Sequence, residues 1–230
     1  TGNLVNDNSF NMYRAAGQYV DVTIGGSSIS GNGATYVFNN LALAGGATTW
    51  SSTSNISIYG NFADNTATSF NASAGAFIFR APVNQSIGGT SPGTTTFNTI
   101  QVGTGTENTI LTLNRDITTT NVVFNVTATG AISLNDRLMI INGNHTRTNN
   151  GKFTGSVNAA ITINGSGNPT STVLFDATTL GTTNYIKSIT IKRAGSGVVT
   201  FGNVLDVENL TITQGTLTTG SNLNIYGDLT

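Results

Sequence analysis

Short runs of alternating apolar and polar residues recur along the chain, and glycine- or asparagine-rich clusters separate them. Leu111-Thr112-Leu113 and Ile161-Thr162-Ile163 are typical, and Asn164-Gly165-Ser166-Gly167 closes the second of these. Runs of only three to six residues with a period of two predict short, half-buried strands. The clusters between them predict sharp turns, because glycine and asparagine tolerate positive φ.

Internal repetition organises these runs. The best match pairs residues 55–62 with residues 222–229. A second template, an apolar residue followed three and five positions later by two more, begins at Phe38, Phe97 and Ile186, so its copies are 59 and 89 residues apart. A third match, of residues 132–140 with residues 217–225, has a separation of 85. A unit of about 28 to 30 residues explains all three separations, and periods of this size indicate a solenoid.

These patterns predict an all-β fold, a right-handed parallel β-helix that forms a single elongated domain. We expect residues 1–23 to form an irregular N-terminal cap or partial coil and residues 24–230 to form the β-helix, with roughly 20 to 30 residues in each coil. The last nine residues still follow the repeat. We therefore expect the native protein to continue beyond residue 230, because repeat proteins need atypical end units.

The composition agrees with stacked coils. Thr, Asn, Gly and Ser supply 40, 30, 28 and 19 residues, about half of the 230, whereas charged residues make up 8% against roughly 25% in an ordinary soluble domain. Equivalent side chains in successive coils lie about 4.8 Å apart, so a repeated Lys or Glu would form a repulsive column of like charge. Thr, Ser and Asn can stack, and Asn ladders can hydrogen-bond along the axis.

Charge and cysteine content exclude several classes of function. A net charge of −1 lacks the clustered Lys and Arg that nucleic acid or anionic lipid requires. The chain has no cysteine, which excludes disulfides, thiolate metal sites and cysteine nucleophiles. No run approaches the roughly 18 apolar residues of a membrane helix. The sequence therefore predicts no nucleic-acid partner, no membrane insertion of this segment and no cofactor.

A family resemblance comes from the phrases Gln85-Ser86-Ile87-Gly88-Gly89 and Thr96-Phe97-Asn98-Thr99-Ile100-Gln101-Val102. Residues 38–43 are similar to the second phrase. Together they resemble large repetitive surface proteins of Bacteroidetes, loosely over residues 24–230. The resemblance implies a secreted, outer-surface β-helix of the adhesin or surface-filament kind, commonly exported by the type IX system, and it implies no catalytic residues.

Few side chains suggest chemistry. Arg115-Asp116 and Asp136-Arg137 are about one coil apart and could be neighbours, although we expect exposed ion pairs that contribute little. Glycoside cleavage needs two carboxylates in a fixed relation, and the ten acidic residues are scattered. His145 has no acidic or second histidine partner nearby in sequence, so we expect a solvated loop histidine, with residues 144–158 as a corner loop.

Other motifs have simpler interpretations. The Gly-Gly pairs lack the Gly-x-Asp that follows in calcium-binding solenoids, so we expect turns there. Three Thr-x-Thr pairs could order water as an ice-binding face, although they lie at different phases of the repeat; they begin at Thr104, Thr211 and Thr216. Three aromatic residues could stack on sugars, although two of them match in the repeat and could instead form a structural ladder; they are Trp50, Tyr59 and Tyr226.

The sequence thus favours an extracellular structural and adhesive module without enzymatic activity. We expect a rigid β-helical stalk segment of a larger bacterial cell-surface adhesin or filament. Its expected partners are glycans or other surfaces outside the cell and neighbouring repeats of the same large protein. A glycan-binding or glycan-cleaving β-helix similar to polysaccharide lyases is the alternative, and an ice-binding face is a third hypothesis.

Overall fold

The computed structural model describes residues 4–5, 10–11, 13–15, 18–26, 28–30, 35–46, 49–127, 129–176 and 185–230. All regular structure in these ranges is β-strand. The strands are short, as the alternating runs predict. In chain order they are β1 (Leu4–Val5), β2 (Phe10–Asn11), β3 (Tyr13–Ala15), β4 (Gln18–Tyr19), β5 (Val22–Ile24), β6 (Ser28–Ser30), β7 (Thr35–Phe38), β8 (Leu41–Gly45), β9 (Thr49–Trp50), β10 (Asn55–Ile58), β11 (Phe62–Thr66), β12 (Phe70–Ala72), β13 (Ala76–Phe79), β14 (Asn84–Gly88), β15 (Thr95–Val102), β16 (Ile110–Leu113), β17 (Ile117–Phe124), β18 (Thr129–Ser133), β19 (Leu138–Ile141), β20 (His145–Arg147), β21 (Asn150–Thr154), β22 (Ala160–Ser166), β23 (Phe175–Asp176), β24 (Ile186–Ala194), β25 (Val198–Phe201), β26 (Leu205–Gln214), β27 (Thr216–Thr219) and β28 (Leu223–Ile225).

Parallel pairing between successive windings confirms the solenoid. One sheet has 16 strands, and its longest path is β1-β6-β9-β12-β15-β17-β19-β22-β24-β26-β28. We call this path the first face. A second sheet has eight strands in the order β23-β21-β18-β16-β14-β11-β8-β5. Each step in these orders is parallel and joins one coil to the next, so the chain is a single β-solenoid domain of about eight turns.

Coil length varies along the stack, as hydrogen bonds between neighbouring coils show. Asn108 bonds to Thr129 in the next coil, 21 residues away. Asn203 bonds to Phe175 in the coil before it, 28 residues away. Near the C-terminal end the separation falls to 18 residues, between Asp206 and Asn224. The observed coil lengths are close to the expected range of roughly 20 to 30 residues. The expectation of one repeat unit of about 28 to 30 residues along the chain is wrong, because the coil length changes from 18 to 28 residues.

The residue correspondences behind that unit are also wrong. Phe38 lies in the column of Val102, through Ile58 and Phe79. Phe97 lies instead in the column of Ile191, which it reaches through four successive pairings. The three copies of the template thus occupy different columns. The physical reason is that apolar alternation is required on every face of a coil, so a short apolar match cannot identify the face.

The core runs through the stack because one set of each alternation points inward. Buried apolar residues form one continuous cluster that extends from Ile24 to Leu210. Within it, aromatic rings contact one another from coil to coil: Phe124 lies edge-on to Phe153 at 5.3 Å, and Phe153 lies 5.8 Å from Phe175, centroid to centroid. Such pairs add to the burial of apolar area, and they link neighbouring coils along the axis.

Asparagine side chains bridge coils at the corners, as predicted. Asn40 Nδ2 donates to Asp21 Oδ1 at 2.8 Å, and Asn40 Oδ1 accepts from the amide of Asn61 at 2.7 Å. Asn61 Oδ1 in turn accepts from the amide of Ser86 at 2.8 Å. This ladder satisfies backbone donors that face the preceding coil, and such donors are costly to leave without partners.

Part of the expected N-terminal cap, residues 1–3, 6–9, 12 and 16–17, lies outside the described residues. In the described part, β1 and β2 pair in parallel with β6 and β7, while β3 and β4 pair antiparallel. Strand β5 spans the expected boundary at residues 23 and 24 and pairs in parallel with β8. The division of the chain at that position stays a prediction.

Candidate functional site

Arg115 is buried, not exposed as expected. Its guanidinium donates to the carbonyls of Asp64 at 3.0 Å, Ser91 at 3.2 Å and Gly93 at 2.6 Å. Nη1 also lies 3.3 Å from Oδ2 of Asp64, whose side chain is completely buried. Hydroxyls of Thr66 and Thr95 donate to the same carboxylate at 2.7 and 2.5 Å. We call this arrangement the Arg115 clasp; it binds the corners of two preceding coils.

Arg193 forms a second clasp, which sequence reasoning missed. Its side chain is buried and donates to four backbone carbonyls. The acceptors span two preceding coils, and no carboxylate in the described residues pairs with the guanidinium; they are Gly143, Asn164, Ser166 and Gly167. Burial lowers the pKa of Arg193, since desolvation disfavours the charged form. We call this the Arg193 clasp.

A glycine beside each clasp allows the close approach of the coils. Gly89 has φ +119°, and an added Cβ would overlap the carbonyl of Asp64. Gly165 has φ +104°, and a Cβ there would overlap the carbonyl of Asn142 and press on Arg193 Nη1. Both positions therefore require glycine for its positive φ and for its lack of a side chain.

The prediction of a solvated loop histidine is wrong. His145 begins β20, is 1% exposed, and packs between Phe124 and Phe153 with centroids 5.8 Å from each. Nδ1 lies 3.3 Å from the Ser171 carbonyl, and Nε2 has no partner among the described residues. Burial lowers the pKa of His145 to about 4. The expected corner loop at residues 144–158 also contains β20 and β21, because two alternating runs cross it.

A notch opens on the surface where three successive coils enter the first face. It has a volume of about 420 Å³. One wall is the long turn between β14 and β15, and the other side is formed by the starts of β17 and β19. The lining residues are Gly89, Ser91, Pro92, Gly93, Thr94, Arg115, Asp116, Ile117, Thr118, Arg137, Leu138 and Ile140.

The notch contains part of the charged cluster expected from the sequence. Asp116 and Arg137 are exposed at its lining, and Asp116 Oδ1 accepts a hydrogen bond from the amide of Leu138 at 2.9 Å. Asp136 instead accepts from Ser156 Oγ and from the amide of Asn158. Those hydrogen bonds hold the pKa of Asp136 below its ordinary value. The structure thus brings Asp116 and Arg137 together at the notch, while Arg115, which also lines it, is paired with Asp64 in its clasp.

Two of the three candidate sugar-stacking aromatics have no free ring face. Trp50 is completely buried in the core. Tyr59 stacks on Tyr19 at 3.7 Å between centroids, and Arg80 lies over the Tyr59 ring at 5.2 Å. Tyr226 is 54% exposed. Tyr226 follows Ile225 on the first face, whereas Tyr59 follows Ile58 of β10, so the expected equivalence of the two tyrosines is wrong.

The Thr-x-Thr pairs do not form one surface. The pair at Thr211 lies on β26, the pair at Thr216 on β27, and the pair at Thr104 in a turn. Register shows a different threonine array that the sequence matches missed, an outward column on the first face in which Ile140 interrupts the threonines. Its members are Thr96, Thr118, Ile140, Thr162, Thr190 and Thr211.

The described ranges contain no group of three or more His, Asp or Glu side chains placed to hold a metal ion. They also contain no helix that could cross a membrane. Comparison with known proteins finds no protein family, curated protein or solved structure that matches the chain.

Proposed function

We propose that the chain is a rigid structural and adhesive segment of a larger bacterial surface protein, placed outside the cell. The observation that carries this proposal is the continuous stack of coils, in which one apolar cluster extends from Ile24 to Leu210. A stack in which neighbouring coils share backbone hydrogen bonds and core contacts resists bending, since bending would have to break them.

The two clasps support a load-bearing role. Each arginine donates to carbonyls of two preceding coils. The most distant acceptor lies 51 residues before Arg115 and 50 residues before Arg193 in the sequence. Separating those coils would remove the partners of buried cations and carbonyls, which is costly. The clasps therefore stabilise the stack against separation along its axis.

The outward surface suits contact with hydrated polymers. Threonine occupies most of the outward column of the first face, and the whole chain carries few charges. Hydroxyl and amide groups offer many weak hydrogen bonds without a preference for either sign of charge. The phrases that resemble repetitive Bacteroidetes surface proteins agree with an adhesin or filament and with type IX export.

Single-molecule pulling from the two ends of the chain tests the structural role. We expect resistance followed by stepwise rupture, in which each coil of 21 or 22 residues releases about 70 Å of chain at roughly 3.5 Å per residue. Resistance that falls when Arg115 or Arg193 is replaced by methionine would support the clasps as the bearing elements. Smooth extension at low force without steps would contradict the proposal.

A further inference from the structure

Most outward positions of the first face are polar or small, and strand β19 departs from this pattern at two positions. Leu138 and Ile140 point outward there, and both are half-buried. The equivalent positions two coils further along are Ser188 and Thr190, which follow the pattern. An outward apolar pair contributes nothing to the core and carries a solubility cost, so such patches commonly mark binding sites.

The apolar pair forms part of the notch, and another wall comes from a coil that is longer than the one after it. Ile87 pairs with Leu113, whereas Leu111 pairs with Ile132, so the first of these two coils contains several residues more than the second. The additional residues lie in the turn 89–94, whose Pro92 and Thr94 line the notch. A volume of about 420 Å³ is within the range of small-ligand sites, roughly 300 to 1,000 Å³.

The corner that presents Arg137 is held in a strained conformation. Asn135 and Asp136 have φ of 45° and 60°, and the amide of Arg137 donates to the Leu134 carbonyl at 2.9 Å. Two consecutive positive φ values in such a turn are those of type I′. Asn135 donates to the Leu113 carbonyl in the coil before, and Asp136 accepts from Ser156 in the coil after. Strain fixed by contacts on both sides is typical of functional sites.

The two exposed charged side chains at the notch, Asp116 and Arg137, balance each other in charge, and each has hydrogen-bonding groups available for a ligand. The Arg137 guanidinium makes no hydrogen bond or ion pair with a described residue, and Asp116 Oδ2 accepts none from one. A fork of donors and a carboxylate acceptor beside an apolar floor match neighbouring hydroxyls and the C–H face of a sugar ring. Balanced charge favours a neutral ligand over an anionic one.

We propose that this notch binds one neutral sugar unit of a glycan. Leu138 and Ile140 contact the apolar face of the ring, while Asp116 accepts from its hydroxyls and Arg137 donates to them. This inference rests on the proposed adhesive role and supplies the chemical class of its target.

Affinity electrophoresis of the whole chain tests the site, with gels that contain dextran, galactomannan, xyloglucan or polygalacturonate. The variants are Arg137→Gln, Asp116→Asn, and the double change Leu138→Ser with Ile140→Thr, which gives β19 the outward residues of β24. Lys187→Gln is the matched control, because Lys187 is exposed and lies at the same corner two coils further along. Circular dichroism checks that each variant is folded.

We expect at least one neutral polysaccharide to retard the native chain. Each notch variant should weaken that binding by roughly tenfold or more, since hydrogen bonds to charged groups and apolar contacts are lost, while Lys187→Gln should bind as the native chain does. No retardation by any neutral polysaccharide, unchanged binding by folded notch variants, or preference for polygalacturonate would overturn the proposal. The pulling experiment is independent of Arg137, so failure of the site and failure of the structural role are distinguishable.

Discussion

The Arg115 clasp and the Arg193 clasp each bury a guanidinium against backbone carbonyls, one before β17 and the other near the end of β24, but they differ in the charge of their acceptors. Arg115 meets Asp64 as well as three carbonyls, whereas Arg193 meets carbonyls alone in the described part of the chain. Carbonyl dipoles converging on a guanidinium can thus replace a counter-ion inside a solenoid corner. The difference should appear when either cation is removed, because one removal leaves a buried charge unpaired and the other leaves only neutral acceptors.

Replacing Arg115 should have the largest effect. Arg115→Met leaves Asp64 buried with only the hydroxyls of Thr66 and Thr95 as side-chain partners, and breaking a buried ion pair in this way costs about 3–5 kcal/mol. The free energy of unfolding in guanidinium chloride measures the loss. Arg137→Met, an exposed arginine one coil further along the same corner, is the control and should change stability by less than about 0.5 kcal/mol.

Adding Asp64→Asn to Arg115→Met separates the charge from the lost hydrogen bonds. If an unpaired carboxylate dominates the cost, the double variant should be more stable than Arg115→Met alone by about 1 kcal/mol or more. Two losses that simply add would contradict the assignment of Asp64 as the counter-ion of the clasp.

Acid should weaken the region of the Arg193 clasp through His145, which lies two residues after the acceptor Gly143. Its pKa is about 4 in the folded chain against 6.5 when unperturbed, so as the pH falls the unfolded chain takes up the proton first. This contribution to stability is complete above pH 6.5 and is lost as the pH falls from 6.5 to 4. The loss is about 3 kcal/mol at most.

Unfolding measured between pH 7 and 4 tests this effect, with His145→Leu as the comparison. The variant should show a shallower decline over this interval, because leucine fills a similar volume and cannot be protonated. Asp21, Asp136 and Glu107, whose pKa values are all lowered, contribute loss in the same direction at lower pH in both proteins. Identical pH profiles would show that His145 is not the titrating group.

Arg193→Met should cost less than Arg115→Met, about 2 kcal/mol. Four carbonyls lose a donor. The variant, however, no longer carries the cost of burying a cation, the cost that lowers the pKa of Arg193, and water can reach the exposed acceptors at Ser166 and Gly167. Lys192→Met, at the exposed neighbouring position, serves as the control. A loss equal to or greater than that of Arg115→Met would show that a counter-ion makes no difference to such a clasp.

Sequence reasoning predicted the stacked parallel coils because alternation and turn chemistry act locally, in each run of three to six residues. It failed on register, since every face of a coil requires the same alternation and a short match cannot identify the face. The clasps were missed although a signal existed. Arg115 and Arg193 each lie two positions after a buried apolar residue, Leu113 and Ile191, so the alternation turns them inward. His145, four positions after Ile141, is turned inward in the same way. An inward polar residue should have predicted burial against corner carbonyls.

The notch could be predicted only in part. The spacing between Arg115-Asp116 and Asp136-Arg137 correctly indicated neighbouring coils, but which member of each pair turns inward depends on the phase of the strands. Leu138 and Ile140 are the clearer signal, because β19 is apolar at all four positions. A run without alternation in a chain built on alternation indicates a strand with contacts on both faces.

The exposed ion pair between Lys152 and Asp176 should have the smallest effect and completes the comparison of paired cations. It also joins neighbouring coils, with Nζ 2.6 Å from Oδ2, but its side chains are 31% and 41% exposed. Solvent screening limits such pairs to about 0–1 kcal/mol, so Lys152→Gln should lower the free energy of unfolding by less than about 1 kcal/mol, and added salt should reduce even that difference. A loss comparable to that of Arg115→Met would mean that the link between coils, and not burial of the charge, determines what each cation contributes.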